Sequence, residues 1–459
     1  MSGSHNDLRY NTILIAIANI GSKAISFILA PMYSYFLSTG EYGTMDLFTT
    51  TASLLGPLFC LDIYEATFRY AKDGTYEKKD VISSSLAVCF TESFLLVSVI
   101  ILACFFCKLP VTTVACLISV FIDTILNTLT QYARGCDRIK VFAFSGVVNS
   151  VVLLASNVVL LAFLHFGLKG WIISYILAKV IVIVYLCIRI DLLQVISIKY
   201  INKTFLREAL KYSLPLMPNA MIWWVMNASD RYILAFSFNT TVVGIYAVAS
   251  KLPSMLSVLE NVFYQAWQTS SINALEENNR DKFYSDILKK YFSVLTLGVL
   301  GLLLILKPMI LRLFAHGYKE AWLSTSILVI AIMFHALSGY LGTFYVTFKN
   351  TKGALVTSTI GAVINIVLNC FFIPYGGIIA AATTTLIGYI VVLLYRWWEV
   401  KKFVKLTITP LFVVVWLGVI GVQFALYYID GIWSYIVRFI ILLVAMWVNR
   451  EVIVKILKK

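Results

Sequence analysis

The sequence contains few charged residues. Asp, Glu, Lys and Arg together make up 13% of its 459 residues, whereas they make up about a quarter of an ordinary soluble domain. Hydrophobic residues make up 60% of the chain. This balance excludes a typical soluble globular protein and indicates a chain that lies mostly within a lipid bilayer.

Residues that commonly carry catalysis are also scarce. The four histidines are isolated from one another along the chain, and no nucleotide-binding loop, nucleophile elbow or zinc-protease motif is present. The eight cysteines lie mostly within apolar runs and form no pair of clusters with zinc-ligand spacing. We therefore expect neither an enzyme nor a cofactor or metal site. Active transport would have to draw on an ion gradient or on consumption of the product.

Long apolar stretches recur along the whole chain. A helix of about 20 apolar residues crosses a hydrocarbon core of ~30 Å, and unpaired backbone is not tolerated in lipid, so the spanning elements must be helices. We predict an all-α polytopic membrane protein with about 14 transmembrane helices. The predicted spans are 10-37, 44-66, 83-107, 109-131, 142-164, 171-188, 213-236, 243-270, 291-311, 322-347, 353-373, 378-395, 407-428 and 433-449.

Lysines and arginines are distributed unevenly between the predicted loops. Most of the 37 fall in alternate loops and near the two termini. The intervening loops and helix ends hold only Lys108, Lys169, Lys307, Arg312 and Lys319. Because short cytoplasmic loops collect positive charge, both termini are predicted to be cytoplasmic. The same scattering of the net charge of +14 argues against a nucleic-acid partner.

Parts of the chain resemble one another at a similar offset. The matching pairs are Glu41–Leu58 with Val242–Leu259, Gly146–Leu154 with Gly361–Asn369, and the Gly167/Gly170 turn with Gly376-Gly377. An offset of about 200 to 215 residues that spans an even number of helices implies two six-helix halves of the same orientation. The predicted organisation is an N-terminal bundle at 1-190, a cytoplasmic linker at 191-212, a second bundle at 213-399 and two additional transmembrane helices at 400-459.

Polar side chains recur on one face of several predicted spans. A charge at the bilayer centre costs at least about 2.5–3.5 kcal/mol, so each should face a partner or a wet cavity. The spans matched by the repeat, first with seventh and second with eighth, are the most polar, and we predict that they line a cavity between the two halves. The candidate substrate-binding residues are Lys23, Lys179, Arg231, Lys251, Asn19, Asn227 and Trp223. The candidate coupling or gating residues are Asp62, Glu65, Arg69, Glu92, Asp123 and Asp230.

These candidates have structural alternatives. Lys179 could be neutralised by Glu92 or Asp123 as a structural pair. Asp230 and Arg231 could form a local pair or a gate. The serine and asparagine stripes could simply hold helices together through interhelical hydrogen bonds. Lys23 has no acidic residue one turn away in sequence, which favours a role facing the cavity.

Two segments resemble the polysaccharide transporter family. Leu37–Gly43, with the sequence LSTGEYG, followed by Ala66–Arg69, is similar to the first hairpin of polysaccharide flippases. The residues from Leu210 to Trp267, which include KYSLPLMPN, ASDRY and VGIY, look like their second-half signature. The similarity extends over nearly the whole chain. It is typical of a Wzx-type polysaccharide or O-antigen flippase of the MOP superfamily, which also holds the MATE exporters and the lipid II flippase.

The resemblance implies two six-helix bundles around a central cavity and transport by alternating access. The implied cargo is a polyprenyl-pyrophosphate-linked oligosaccharide, moved between the leaflets of a bacterial cytoplasmic (inner) membrane for surface polysaccharide biosynthesis. Related flippases use cationic residues in that cavity, and Lys23 and Lys251 are the positions here that could take this role. Partners could include membrane lipids and the polysaccharide polymerase and chain-length proteins. The resemblance does not distinguish between O-antigen, capsule and other exopolysaccharides as the product.

The alternative function is that of a MATE-like cation or drug antiporter. Such a protein should place carboxylates deep in its cavity to bind a cation and a coupling proton or sodium ion. Asp123 and Glu92 could be those carboxylates.

Overall fold

The computed structural model describes residues 21–106, 110–276, 278–348, 350–451 and 454, and all regular structure within them is helical. The first helix, α1, runs through 21–36. The others are α2 Thr39–Phe59, α3 Ile63–Asp73, α4 Lys78–Phe106, α5 Val111–Gly135, α6 Ile139–Asn157, α7 Gly167–Arg189, α8 Leu192–Val195, α9 Lys203–Ser213, α10 Met217–Ser237, α11 Thr240–Lys251, α12 Ser254–Asn273, α13 Arg280–Leu313, α14 Trp322–Thr347, α15 Thr351–Val400, α16 Pro410–Tyr427 and α17 Ile432–Val448. The predicted all-α class is therefore confirmed.

Length and composition identify the membrane-spanning helices. Among the described residues, seven helices are long and apolar enough to cross a bilayer, and the bent pair α2 and α3 provides an eighth span. One of the seven, Lys352–Val400, contains two of the predicted spans, because the backbone leaves helical geometry at Gly377. The chain is thus a multi-pass membrane protein.

The chain divides into two compact units, Met1–Trp224 and Val225–Lys459. The predicted linker 191-212 holds α8 and most of α9. Phe205 and Ala209 of α9 are fully buried, and they pack in the core of the first unit with residues such as Ile63, Leu129 and Leu186. An amphipathic helix laid against the bundle in this way buries its apolar face, so the segment is part of the first unit's packing.

The helix starts α2 and α11 are built alike, as the internal repeat requires. Ser38 caps α2 in a capping box: its hydroxyl accepts from the Glu41 amide at 3.2 Å, and the Glu41 carboxylate accepts from the Ser38 amide at 2.9 Å. In the alignment of Glu41 with Val242, Ser38 falls on Asn239. The Asn239 side chain caps α11 by accepting from the Val242 amide at 3.2 Å. In both halves, a side-chain oxygen therefore accepts a hydrogen bond from the backbone amide at the corresponding position of the helix start.

Two of the breaks in the helices follow from proline or from left-handed backbone. The second predicted span bends by 58° between α2 and α3, where Leu61 and Asp62 both have positive φ angles of 48° and 57°. The predicted span 243-270 is divided between two helices, since α11 ends at Lys251 and α12 begins at Ser254. Pro253 lies between them, and proline has no amide hydrogen to donate within a helix.

The turn before α7 requires glycine. Gly167 has a φ of +55°, and a Cβ there would lie 2.8 Å from Glu41 Oε1. That oxygen cannot withdraw freely, because it accepts a hydrogen bond from the Leu168 amide at 3.2 Å. The counterpart turn in the second unit also uses a left-handed glycine, Gly377, with a φ of +52°.

Replacing Gly167 with alanine is expected to lower the melting temperature of the purified protein. The left-handed backbone costs a residue with a Cβ about 1–2 kcal/mol, and the contact with Glu41 adds to that cost. The control is Gly418→Ala, since a Cβ on Gly418 meets nothing within 4 Å. Alanine is the better helix former by about 1 kcal/mol, so this control should melt at the same or a higher temperature. Equal melting temperatures for the two variants would contradict the proposed role of Gly167.

Candidate functional site

Lys179 lies in a buried ion pair within the first unit. Its ammonium, on α7, is 2.5 Å from Asp123 Oδ1 on α5. The ammonium also lies over the ring of Tyr175, one turn earlier on α7, at 3.4 Å from the ring centre. Only 7% of Lys179 is exposed. Of the two acids that could have neutralised this lysine, the structure places Asp123 against it. A paired, buried lysine has little free charge left for an incoming anion.

Glu92, on α4, carries a carboxylate without a hydrogen-bond partner among the described residues. Both of its carboxylate oxygens are buried and accept no hydrogen bond within the described part of the chain. Asp62 Oδ1 is in the same situation. Buried polar atoms are nearly always hydrogen-bonded, so these oxygens are candidates for binding a proton or a cation. Glu92 offers two such oxygens and Asp62 one.

The other two predicted gating residues of the first unit have polar neighbours. Glu65 accepts a long hydrogen bond, 3.5 Å, from Gln131 Nε2 on α5. Arg69 is exposed and pairs with Asp73 one turn later at 3.4 Å, with its guanidinium 5.0 Å from the centre of the Tyr212 ring. An exposed ion pair is screened by solvent and stabilises little, so Arg69 is the least constrained of the set.

Asp230 is the centre of a polar cluster in the second unit. It is 3% exposed, and Tyr246 on α11 donates its hydroxyl to Asp230 Oδ2 at 2.5 Å. Arg231 lies 3.3 Å from Asp230 Oδ1 and also donates to the Asn227 carbonyl at 2.6 Å. A third contact joins Arg231 to the Ser250 hydroxyl at 3.4 Å. In this structure Asp230 and Arg231 thus form a local pair, which is one of the two alternatives that the sequence allowed.

The cluster continues to residues that the sequence did not single out. Tyr389 donates to Asn227 Oδ1 at 2.6 Å, and its ring lies 4.8 Å from the imidazole of His335. His335 Nδ1 is in turn 2.8 Å from Glu260 Oε1. This contact between His335 and Glu260 was not predicted from the sequence. The signal was Glu260 itself, a single acid in an otherwise uncharged stretch of a predicted span.

A second network missed by sequence reasoning joins α10 to both halves of α15. Asn365 Oδ1 accepts from the Ser229 hydroxyl at 3.2 Å and from Asn369 Nδ2 at 3.0 Å. Asn369 also donates to Ser229 at 3.2 Å and accepts from the Thr384 hydroxyl. The spacing of Asn365 and Asn369 places them on one helical face, which is the pattern that could have revealed the network. Hydrogen bonds between helices of this kind hold membrane bundles together.

The remaining predicted residues lie at less enclosed positions. Lys23, on α1, is exposed and takes part in no ion pair within the described ranges. Lys251 is exposed at the end of α11, beside the break, and Trp223 is half-buried on α10. Asn19 lies outside the described residues. Over the part of the chain that the structure covers, no three His, Cys, Asp or Glu side chains are placed to hold a metal ion.

The chain is similar in sequence to one protein family and to one curated protein. The family described as polysaccharide biosynthesis protein matches residues 8–268. A protein of Haemophilus influenzae, "Lsg locus putative protein 1", is 23% identical over 407 residues, covering 83% of this chain and 96% of that protein.

Among solved structures, the lipid II flippase MurJ in an inward closed conformation has a TM-score of 0.72 at 15% identity, covering 97% of this chain and 100% of that one. An inward-facing multidrug resistance MATE transporter of the MOP superfamily has a TM-score of 0.69 at 12% identity, covering 84% and 98%. At these identities the likeness shows the fold.

Proposed function

Because the chain belongs to the polysaccharide biosynthesis protein family, we propose that it is a flippase for lipid-linked oligosaccharides. The cargo would be a polyprenyl-pyrophosphate-linked repeat unit, moved by alternating access from the cytoplasmic to the outer leaflet of the bacterial cytoplasmic membrane. The observation that carries the proposal is the family match over residues 8–268. The fold alone would not distinguish this function, since a lipid II flippase and a multidrug transporter both share it.

The distribution of cations supports an anionic cargo. A diphosphate must be accompanied by positive charge when it crosses a low-dielectric layer. Lys179 is neutralised by Asp123, and Arg231 by Asp230. Lys23 has no such acidic partner in the described ranges. We therefore assign the primary contact with the pyrophosphate to Lys23, with Lys251 as a second cation, while the lipid tail stays in the bilayer.

Coupling to an ion gradient would involve the carboxylates of Glu92 and Asp62. Glu92 and Asp62 hold buried oxygens that accept no hydrogen bond within the described residues. Such oxygens gain a partner when they bind a proton or a cation. We propose that this exchange drives the return of the empty transporter. The protein partners of the cycle would be a polymerase and chain-length proteins that consume the flipped unit.

A MATE-like cation or drug antiporter is the second candidate function. It is favoured by the fold of the multidrug transporter and by the unpartnered carboxylate of Glu92. Asp123, the other acid assigned to this function, is engaged by Lys179 and is therefore a weaker candidate for binding a cationic drug.

Deleting the gene in its native host tests the proposed function. Loss of surface polysaccharide, with lipid-linked repeat units accumulating on the cytoplasmic side of the membrane, is the expected result. Expression of the wild-type chain should restore the polysaccharide. Unchanged polysaccharide together with new sensitivity to cationic drugs would overturn the flippase in favour of the antiporter. Polysaccharide composition and drug sensitivity are measured on the same strains.

A further inference from the structure

The second unit contains an apolar cavity of about 370 Å³. It is lined by α13, α14, the second half of α15, the start of α16 and the linker before it. Its inner wall consists of four buried side chains, Leu288, Phe292, Leu337 and Leu341. Every lining residue is apolar, so the cavity offers nothing to a polar ligand and suits a hydrocarbon chain. The volume lies in the range of ordinary ligand pockets.

The outer edge of this cavity lies on the surface of the unit. Leu394 on α15 is 62% exposed and Val414 on α16 is 65% exposed. Both residues lie in spanning helices. Aliphatic side chains on the outer surface of spanning helices contact the hydrocarbon tails of the bilayer. A chain can therefore enter the cavity sideways from the bilayer.

The linker that contributes to the cavity lining carries three lysines. The linker between α15 and α16 supplies Ile408 to the cavity lining, and it also carries Lys401, Lys402 and Lys405, all exposed. Over the described ranges none of these three lysines is paired with an acid. The Lys402 ammonium lies 4.9 Å from the centre of the Trp398 ring.

The linker is held in place against α13. The Lys405 amide donates to Asp281 Oδ2 at 3.1 Å, and the Thr407 amide donates to the Ser285 hydroxyl at 2.9 Å. The nearby acids are engaged elsewhere: Asp281 also pairs with Arg280, and Glu399 accepts from Tyr345. The lysines are therefore presented on a fixed segment beside the cavity, with their charge available to an outside anion.

We propose that this cavity binds an acyl chain of an anionic phospholipid, whose phosphate is held by Lys401, Lys402 and Lys405. The apolar lining matches the chain, and the lysine cluster matches a headgroup with net negative charge. Basic pockets beside spanning helices recognise anionic lipid headgroups in this way. The positive-inside distribution predicts that these lysines face the cytoplasm, so the lipid would come from that leaflet. This site is independent of the proposed cargo route.

Native mass spectrometry of the full-length protein in detergent tests the proposal. The probes are phosphatidylglycerol and phosphatidylcholine with identical oleoyl chains, added at matched concentrations. Wild type should retain phosphatidylglycerol at least about tenfold more tightly, since each lysine near the phosphate adds about 1 kcal/mol. Lys401→Gln, Lys402→Gln and Lys405→Gln combined should remove that preference. The matched control is Lys199→Gln, Lys203→Gln and Lys211→Gln, three exposed lysines of the first unit with the same change in charge.

A second pair of variants tests the apolar part of the site. Val414→Trp fills the edge of the cavity and should weaken binding of both lipids about tenfold. Val422→Trp, at a 53% exposed position of the same helix outside the cavity, should leave binding unchanged. Equal retention of the two lipids by wild type would overturn the proposal. So would retention of undecaprenyl phosphate in preference to phosphatidylglycerol, lost in Val414→Trp, which would assign the cavity to the tail of the cargo.

Discussion

Replacing Lys23 with alanine is expected to lower translocation by about 10- to 100-fold, the equivalent of one charge-assisted hydrogen bond to the pyrophosphate. Lys23 is exposed on α1 and takes part in no ion pair within the described ranges. Its removal should therefore leave the free energy of unfolding within about 0.5 kcal/mol of wild type. A transport defect without a stability defect is the expected signature of a side chain that contacts cargo.

The measurement is complementation of the deletion strain, with lipid-linked units and surface polysaccharide quantified at matched protein levels. Lys23→Arg keeps the charge and should restore most of the transport. The matched control is Lys199→Ala, which removes another exposed lysine, from the segment before α9. Full complementation by a normally expressed Lys23→Ala would remove Lys23 from the cargo route.

Replacing Asp123 with alanine is expected to destabilise the protein by about 3–5 kcal/mol, because it leaves the Lys179 ammonium buried without a counter-ion. The pair is 2.5 Å apart, and the side chains are only 9% and 19% exposed. The double variant Asp123→Leu with Lys179→Met should recover most of this loss, since apolar replacement of a buried pair is often neutral or stabilising. The measurement is thermal unfolding of the purified protein in one detergent.

An exposed ion pair provides the control for this cycle. Lys72 pairs with Asp137 at the surface, with side chains 50% and 67% exposed, so Lys72→Ala should cost about 0–1 kcal/mol. If Asp123→Ala lowers the free energy of unfolding by no more than this control does, the buried pair does not stabilise the first unit. A double variant that folds normally but fails to complement the deletion strain would instead give the pair a role in transport.

The helices were the most predictable part of the molecule. The predicted span 322-347 coincides with α14, Trp322–Thr347, because its apolar run is long and is flanked by polar turns. The break between the predicted spans 353-373 and 378-395 falls at Gly377, where the backbone is left-handed. The bend at Leu61 and Asp62 was not predicted. Neither residue type favours a positive φ angle strongly enough for the bend to be recognised in the sequence.

The sequence predicted which charged residues belong to the candidate site, but it did not predict which of them form ion pairs with one another. Sequence reasoning identified Lys179, Asp123 and Glu92 as charges that spanning helices must accommodate, but the choice between the two acids depends on how α4, α5 and α7 are rotated against one another. Helical periodicity fixes which residues share a face and leaves that rotation undetermined. The pair His335 and Glu260 was missed for the same reason, because it joins two helices that are distant in the chain.

The two capped helix starts meet one structural requirement with two different residue types. Ser38 and Asn239 are different amino acids, yet each supplies a side-chain oxygen to an amide at the start of the aligned helices α2 and α11. A side-chain oxygen at this position, and not a particular residue type, is therefore what the start of each helix needs. Exchanging the two caps, by Ser38→Asn or Asn239→Ser, would keep an acceptor for the same amide at either helix start.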